Sequence, residues 1–535
     1  MASAPDAFDM TATGTDNRVG PSPRARPAPR AGRSAIVTGI LLCVWLAVVV
    51  FTTTRHEFWR DEVRALSLAR AASSPLDLYE LVQYDGHPVL WHLLLHVGTS
   101  IADTPLVLPI TSVLVGFAGV TVFMRAAPFP LWFRGLFIFS ALPLYEYSVM
   151  ARNYGISMLL MFAAAAVYRQ RNTHPYWLAF ALALLANTNV HSAMFACLAA
   201  AVWAWDIAVD QKKGAVPRGV ARYLPLAIVL AGVVMCVAFA APRENTILTS
   251  VRSSLSLSDV ASSLRGALLR PDETFSELVP AWLPPKAAFL LLYGAVVGLW
   301  LRPNLLLAAL AAQTALGVFF RLAYPGWYRH QGLYLLFLVF LYWLFVDSVG
   351  TRTFEGVRRT LFRCGLYLAV LLLIVVDLAR APRLVWGDIA GERSSSRALG
   401  EFLNESVEHA DAVIVPEPDF MLESLPYYAD HAIYLPRERR FSRTVSWTTD
   451  SSPSLSLGEL LSAARDVRIR SGRDVLIVLG ANANLYGPGE QRYMYGKVFS
   501  WTAAEADEFR SSTRFVAEFR ASEGDEDYRV YALTR

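Results

Sequence analysis

The chain is 535 residues long, 54% of them hydrophobic and only 18% charged, with a mean hydropathy of +0.36. Soluble proteins carry roughly 25% charged residues, so the about three to four soluble domains that length alone suggests are excluded. A disordered chain, a collagen-like chain and a disulfide framework are excluded too, because the apolar content is high and there are only four cysteines. Cys43, Cys197, Cys236 and Cys364 lie in or beside apolar stretches without CxxC spacing and read as small core residues. A net charge of +4 is too small to suggest nucleic-acid binding, but its distribution is uneven. Residues 385–535 hold 24 acidic and 17 basic side chains, which leaves this stretch at −7 and the rest at +11. The acidic stretch reads as a separate domain, and the basic excess falls between apolar segments, where the positive-inside rule applies.

In chain order, residues 1–34 are rich in Pro, Ala and Arg and predict a disordered cytoplasmic tail. The apolar run Ile36–Phe51 is followed by Thr-Thr-Thr-Arg-His, which lacks a small-residue cleavage site, so it predicts a first transmembrane helix rather than a signal peptide. Further apolar segments fall at about 104–124, 133–149, 154–168, 176–188, 190–208, 223–242, 284–301, 303–322, 331–347 and 364–381. Several are shorter than the ~20 residues of a straight span. Placing Arg125 and Arg134, Arg169 and Arg171, Lys212–Arg222, Arg302 and Arg352–Arg363 in the cytoplasm fits about eleven transmembrane helices, with residues 88–100 resting at the outer interface. The expected fold is a polytopic α-helical membrane protein. Residues 35–384 form the membrane domain, with a first outer loop at 55–103, and residues 385–535 form an extracytoplasmic α/β domain. That last domain follows from strand-like runs at 412–415, 475–479, 515–519 and 529–533 and helical patterns near 420–428 and 457–468.

This topology gathers polar motifs on one side. Six of the nine histidines, His56, His87, His92, His96, His191 and His330, fall in or beside the outer segments. Ionisable groups collected at one membrane depth need partners or a watery cavity and mark a functional site. The first outer loop begins Phe58-Trp59-Arg60-Asp61-Glu62 and continues as an amphipathic helix on the membrane surface. Asp61 can cap that helix and Glu62 can favour its dipole. Alternatively, neighbouring carboxylates diverge by about 100° on a helix and do different jobs, one as a general base and one as a binding group. His87-Pro88 places His87 outside the next helix, where it can hold a phosphate oxygen. His92 and His96 are four apart, a spacing compatible with a metal but without a HExxH pattern. Tyr147–Tyr154 and Tyr324–His330 are polar junctions between apolar helices, carrying Arg152, Arg329 and, one turn earlier, Arg321. Guanidinium groups on the outer side run against the positive-inside trend and imply an anion. Asn187–His191 is either a tight re-entry turn or a substrate contact.

Taken together, these residues resemble the GT-C superfamily of membrane glycosyltransferases, in the bacterial branch of protein mannosyltransferases and aminoarabinose transferases. Asp61-Glu62 resembles that family's catalytic Asp-Glu pair. His87-Pro88-Val89-Leu90 is similar to its His-Pro-Pro-Leu segment, with Val89 in place of the second proline. Tyr147-Ser148 through Ala151-Arg152 and Tyr154 resembles its Tyr-Ser-x-x-Ala-Arg-x-Tyr junction, with Met150 where glutamate is frequent. Arg329-His330 resembles the basic pair that opens a late helix. The resemblance implies an inverting transfer from a polyprenyl-phosphate sugar to a glycan, lipid or protein acceptor at the outer face of the cytoplasmic membrane. It implies Asp61 and Glu62 as catalytic residues, with their roles interchangeable. His87, Arg152, Arg321, Arg329 and His330 would hold the donor phosphate, and Trp59, Tyr154, Asn189 and His191 would contact substrate. It fixes no cofactor; a divalent metal stays open, although the carboxylates form no compelling ligand set. A lipid-linked-sugar flippase and a non-catalytic envelope-assembly subunit are the alternative readings.

Overall fold

The computed structural model describes residues 29–241, 245–246, 256–349, 355–391, 393–520 and 525–534. Most of the expected tail 1–34 lies outside them. Among the described residues, seven helices are long and apolar enough to cross a membrane: Ser34–Arg55, Val107–Ala126, Val190–Lys212, Val220–Ala240, Pro303–Leu322, Tyr328–Val349 and Gly356–Ala390. Leu90–Ile101, Pro175–Ala186 and Pro285–Val297 are apolar but shorter. Their outer surfaces carry exposed Ile36, Ile40, Phe180, Leu230, Val234, Leu290 and Leu307, a surface suited to lipid. The chain is a multi-pass membrane protein with a C-terminal sheet domain.

The eleven helices expected from sequence are not matched by eleven full-length spans. The expected helix 133–149 breaks into Leu131–Ile138 and a π turn at Leu142–Glu146. Pro143 has no N–H to offer the preceding turn. The carbonyl of Ile138, left without a partner at the break, accepts the Trp45 indole N–H at 2.9 Å. Tyr154–Val167 is 14 residues long, about 21 Å at 1.5 Å per residue, and falls short of the ~30 Å hydrocarbon layer.

Tyr328–Val349 is the central helix. It is apolar on every side, and Leu333 to Phe345 are all buried, as a helix surrounded by other helices requires. Gly332 lets it approach the π turn; a Cβ there would lie 2.2 Å from a Leu142 methyl. Across this contact the Tyr147 hydroxyl donates to the Arg329 carbonyl at 2.7 Å.

The C-terminal domain opens with helix Ser396–Glu405. Its four-stranded sheet runs in the order Val413–Glu417, Val475–Gly480, Tyr528–Leu533, Thr513–Phe519, the first pair parallel and the others antiparallel. Val413, Val415 and Ile477 face one buried cluster and Ile414, Leu476 and Val478 the other, so helices cover both faces. Leu457–Ser471 starts with a capping box in which Ser456 Oγ accepts from the Glu459 N–H and Glu459 accepts from the Ser456 N–H. The expected strands and the expected helix near 457–468 lie within a few residues of these, and the helical pattern near 420–428 is a 3₁₀ helix, Asp419–Tyr427.

This domain sits on the first loop. Helix Arg60–Ala71 was expected on the membrane surface, but Arg60, Glu62, Val63, Arg64, Ala65, Leu66, Leu68 and Ala69 are all buried. Val63, Leu66 and Ala69 pack with Trp91, Leu95 and Leu108. The Arg60 guanidinium donates to both oxygens of Asp525 (2.6 and 3.0 Å), and its backbone N–H donates to Glu526 at 2.9 Å. Arg64 bonds Asp85 at 2.6 Å and also pairs with buried Glu423. The helix is thus clasped between two domains, because Arg60 and Arg64 each find an acid in the C-terminal one, while Arg70 pairs with Asp103 of the same loop.

Within that domain Lys497 and Asp419 are fully buried and joined by bonds of 2.8 and 3.0 Å. Removing one charge of such a pair strands the other, at about 3–5 kcal/mol. Lys497→Met alone therefore lowers the thermal unfolding temperature of the purified protein well below wild type. Adding Asp419→Leu restores most of the loss, and equal melting of single and double variants would contradict this account.

Candidate active site

The two neighbouring acids of the loop helix point apart. Glu62 is fully buried. One oxygen accepts the Ala151 N–H at 2.6 Å, the other accepts the Trp59 N–H at 3.3 Å, and His56 Nε2 stands 3.1 Å away. The capping role suggested for Asp61 thus falls to Glu62. The Asp61 side chain is 40% exposed and accepts from Arg152 Nη1 at 2.6 Å. Desolvation by the surrounding protein pushes its pKa up, but Arg152, Arg60 and Arg329 more than reverse this and hold it below the usual carboxylate range.

His56 sits between two carboxylates, with Nε2 facing Glu62 and Nδ1 3.0 Å from Asp388 at the end of the last membrane helix. Both nitrogens must donate, so the ring is an imidazolium. Burial alone would lower its pKa, but Glu62 and Asp388 raise it to about 10. The Tyr145 hydroxyl, carried by the π turn, also donates to Asp388 at 2.8 Å. Arg397 of the C-terminal domain donates to the His56 carbonyl at 2.6 Å.

The Arg329 guanidinium lies 5.2 Å from the Trp59 ring, and that of Arg60 lies 5.5 Å from it. Arg329 Nε is 3.6 Å from Glu146, and its buried Nη1 has no hydrogen-bond partner among the described residues. Arg152 stands 5.7 Å over the Tyr154 ring. His330 Nδ1 accepts the Trp327 N–H at 3.1 Å, so the proton of a neutral ring is on Nε2, which donates to the Tyr154 oxygen at 2.8 Å. The Tyr154 hydroxyl hydrogen is then free to bond elsewhere. The buried His191 ring lies 5.1 Å from that of His330, tilted by 35°, and neither of its nitrogens has a hydrogen-bond partner among the described residues.

The structure therefore brings together Trp59, Asp61, Glu62, Arg152, Tyr154, His191, Arg329 and His330. His87 lies within electrostatic range of His191 and His330, with Nδ1 2.7 Å from the Asp85 carbonyl. Two expected residues are engaged elsewhere. Arg321 donates to Glu273 at 3.0 Å. Asn189 caps helix Val190–Lys212, accepting from the Ser192 N–H and donating to Ser157, both at 2.9 Å. His56, which the sequence places only among the outer histidines, and Asp388, Tyr145 and Glu146, which it does not single out, complete the arrangement. Asp388 lies 332 positions from His56 and 243 from Tyr145, separations that no spacing announces. A cleft of about 1010 Å³ on the far face of the loop helix, lined by Val63, Leu66, Arg70, His96, Tyr427 and Tyr428, does not include Asp61.

The residues present do not fit a metal ion. Asp61 faces guanidinium groups and Glu62 has its oxygens filled by N–H donors. Among the described residues no group of three or more His, Cys, Asp or Glu is placed to bind one.

No protein-family profile matches the sequence, and neither does any curated protein. Among solved structures, the chain is similar to the crystal structure of ArnT from Cupriavidus metallidurans bound to undecaprenyl phosphate. The match covers 92% of this chain and 97% of that one, at 14% identity and a TM-score of 0.48.

His56 generates a testable pH dependence. Its folded pKa of about 10 lies above the ordinary 6.5, so its contribution is complete below pH 6.5 and is lost as pH rises through 10. His56→Gln leaves buried Glu62 without a counter-charge and Asp388 with only Arg393 at 3.4 Å, a cost of about 3–5 kcal/mol. The variant melts below wild type at pH 6 and lacks the decline that wild type shows between pH 6.5 and 10. Parallel melting profiles would overturn the assignment.

Proposed function

We propose that the protein is an inverting glycosyltransferase that moves a sugar from a polyprenyl-phosphate donor to an acceptor hydroxyl at the extracytoplasmic face of the cytoplasmic membrane. The observation that carries this reading is an open carboxylate, Asp61, set beside Arg152 and Arg329, the latter with a buried N–H that has no partner. A base and an anion site side by side, at the end of a lipid-facing bundle, are what transfer from a lipid phosphate requires. The motif resemblance of the Asp61-Glu62, His87-Pro88 and Tyr147–Tyr154 segments supports the same reading.

Asp61 takes the proton of the acceptor hydroxyl as its oxygen bonds to the sugar's anomeric carbon. The bond from that carbon to the phosphate oxygen breaks on the opposite face, and its electron pair leaves with the lipid phosphate. Arg329 and Arg152 stabilise the charge that develops there, with the free Tyr154 hydroxyl as a further donor. Glu62 and His56 hold the loop helix so that Asp61 faces this point; they are positioning residues.

Asp61 is ionised well into the acid range, so transfer does not fall between pH 7 and pH 5 on its account. Asp61→Asn lowers transfer by about 10²–10⁴-fold while membrane insertion and melting stay near wild type. Arg152→Ala lowers transfer and moves the acid limb of the pH profile upward, because the largest group depressing the Asp61 pKa is gone. Normal turnover by Asp61→Asn, in assays of a polyprenyl-phosphate-sugar with membrane extracts as acceptor, would refute the proposal.

A further inference from the structure

The C-terminal domain directs two loops toward Asp61. In the first, the Val445 N–H donates to Glu423 at 2.7 Å and its carbonyl accepts from Arg64 of the loop helix at 2.9 Å. Four residues on, the Thr449 N–H donates to the Asn245 carbonyl at 2.8 Å, and Thr448 bridges Thr246 of the membrane domain. Trp447 lies between these anchors with φ 53°. In the second loop, Tyr495 has φ 58° and is followed by Gly496 at φ 74°. Two bulky aromatic residues are thus held in left-handed backbone, which ordinary side chains avoid and which is retained where surroundings impose it.

These two rings meet edge to face, centroids 5.1 Å apart. They are braced from behind. Lys497 Nζ, locked by Asp419, lies 4.8 Å from the Trp447 ring. Phe420 stands 5.9 Å from Trp447 and 5.5 Å from the guanidinium of Arg60, the residue next to Asp61. Neither Trp447 nor Tyr495 is buried. Burial of neighbouring surface pushes the Tyr495 hydroxyl pKa up, Tyr324 and Asp61 push the same way and Arg60 opposes them. The phenol therefore shares the surroundings of the open carboxylate and of Tyr324, whose ring is 5.3 Å from His330.

Arg152, Arg329 and Asp61 recognise a phosphate and a hydroxyl, but nothing among them offers a flat apolar face. Half-open, rigid aromatic rings offer one, with a polar edge for hydroxyl groups. We propose that Trp447 and Tyr495 bind a sugar ring over the Asp61 site, which makes the C-terminal domain a specificity determinant of the transfer. This rests on the glycosyltransferase reading above. The ring belongs either to the lipid-linked donor or to the acceptor.

The test uses the full-length protein in lipid nanodiscs, wild type against Trp447→Leu, Tyr495→Leu and the conservative Tyr495→Phe. Titration with undecaprenyl phosphate and with its mannosyl and arabinosyl esters reads the donor arm. Titration with methyl mannosides and methyl arabinosides, with and without undecaprenyl phosphate, reads the acceptor arm. In the donor case the attached sugar tightens binding in wild type, and each Leu variant removes roughly fivefold of that gain. In the acceptor case the Leu variants weaken methyl-glycoside binding by the same factor. Affinity for bare undecaprenyl phosphate is unchanged and Tyr495→Phe retains most of the effect. In wild type alone, the bound saccharide shields Trp447 and Tyr495 from hydroxyl-radical footprinting, a reading that needs no variant. Saccharide binding indifferent to both Leu variants, absence of saccharide binding in both arms, or absence of shielding overturns the proposal. Failure of bare undecaprenyl phosphate to bind instead refutes the donor reading, and the methyl-glycoside and footprinting arms still report on the aromatic pair.

Discussion

A buried imidazolium holds the site together. His56 follows directly on the first membrane helix, Asp388 ends the last one, and Glu62 lies in the first turn of the loop helix. None of the three is tolerable alone in its surroundings: an isolated buried charge costs several kcal/mol. Together they satisfy one another and tie the start of the first loop to the end of the last membrane helix. Once Glu62 is committed to that point, the helix can rotate no further, and Asp61, about 100° around, is fixed toward the opening. The division of labour between two adjacent acids thus follows from geometry. One is surrounded by N–H donors and cannot accept a proton from substrate; the other has water access and cations around it.

The cations around Asp61 outnumber what its single charge can balance. Arg60 is matched by Asp525, and Arg152 by Asp61 itself. Arg329 has only Glu146, at 3.6 Å, and keeps one buried N–H unpartnered. A buried guanidinium N–H without an acceptor is a standing cost, and an arriving anion relieves it. Phosphate suits a planar fork better than a point charge does. The Trp59 ring lies within 5.5 Å of both the Arg60 and the Arg329 guanidinium, close enough to attract each cation. The arrangement favours an anion that comes to the membrane edge attached to something apolar.

Much of this was legible in the sequence, for identifiable reasons. Apolar runs located the helices because lipid demands them, and the positive-inside trend grouped the polar junctions on one side. That grouping brought Asp61, Arg152, Tyr154, Arg329 and His330 into one neighbourhood. What local pattern does not encode is side-chain direction. Arg321 and Asn189 stand at the right depth, yet Arg321 turns to Glu273 and Asn189 caps a helix. The break at Leu142–Glu146 was hidden because its residues are as apolar as a span. His56 pairs with a residue 332 positions away, and Glu62 with a backbone N–H 89 positions away, separations on which no motif spacing can bear.

The same argument changes how the C-terminal domain is understood. From composition it is a detachable acidic appendage. In the fold, Arg60 and Arg64 of the loop helix are buried, and that burial is tolerable because Asp525, Glu526 and Glu423 come from the C-terminal domain. Without those acids the helix would expose its arginines to water, turn away from Trp91 and Leu108, and take Asp61 with it. The acidity of residues 385–535 therefore partly serves two arginines of the loop helix that lie 359 to 466 positions earlier. A domain whose charges hold the base in place, and whose loops reach Arg64 and the Asn245–Thr246 segment, is part of the site. The first loop carries Asp61, and the junctions between membrane helices carry Arg152 and Arg329. The C-terminal domain supplies the constraint that keeps them facing one another.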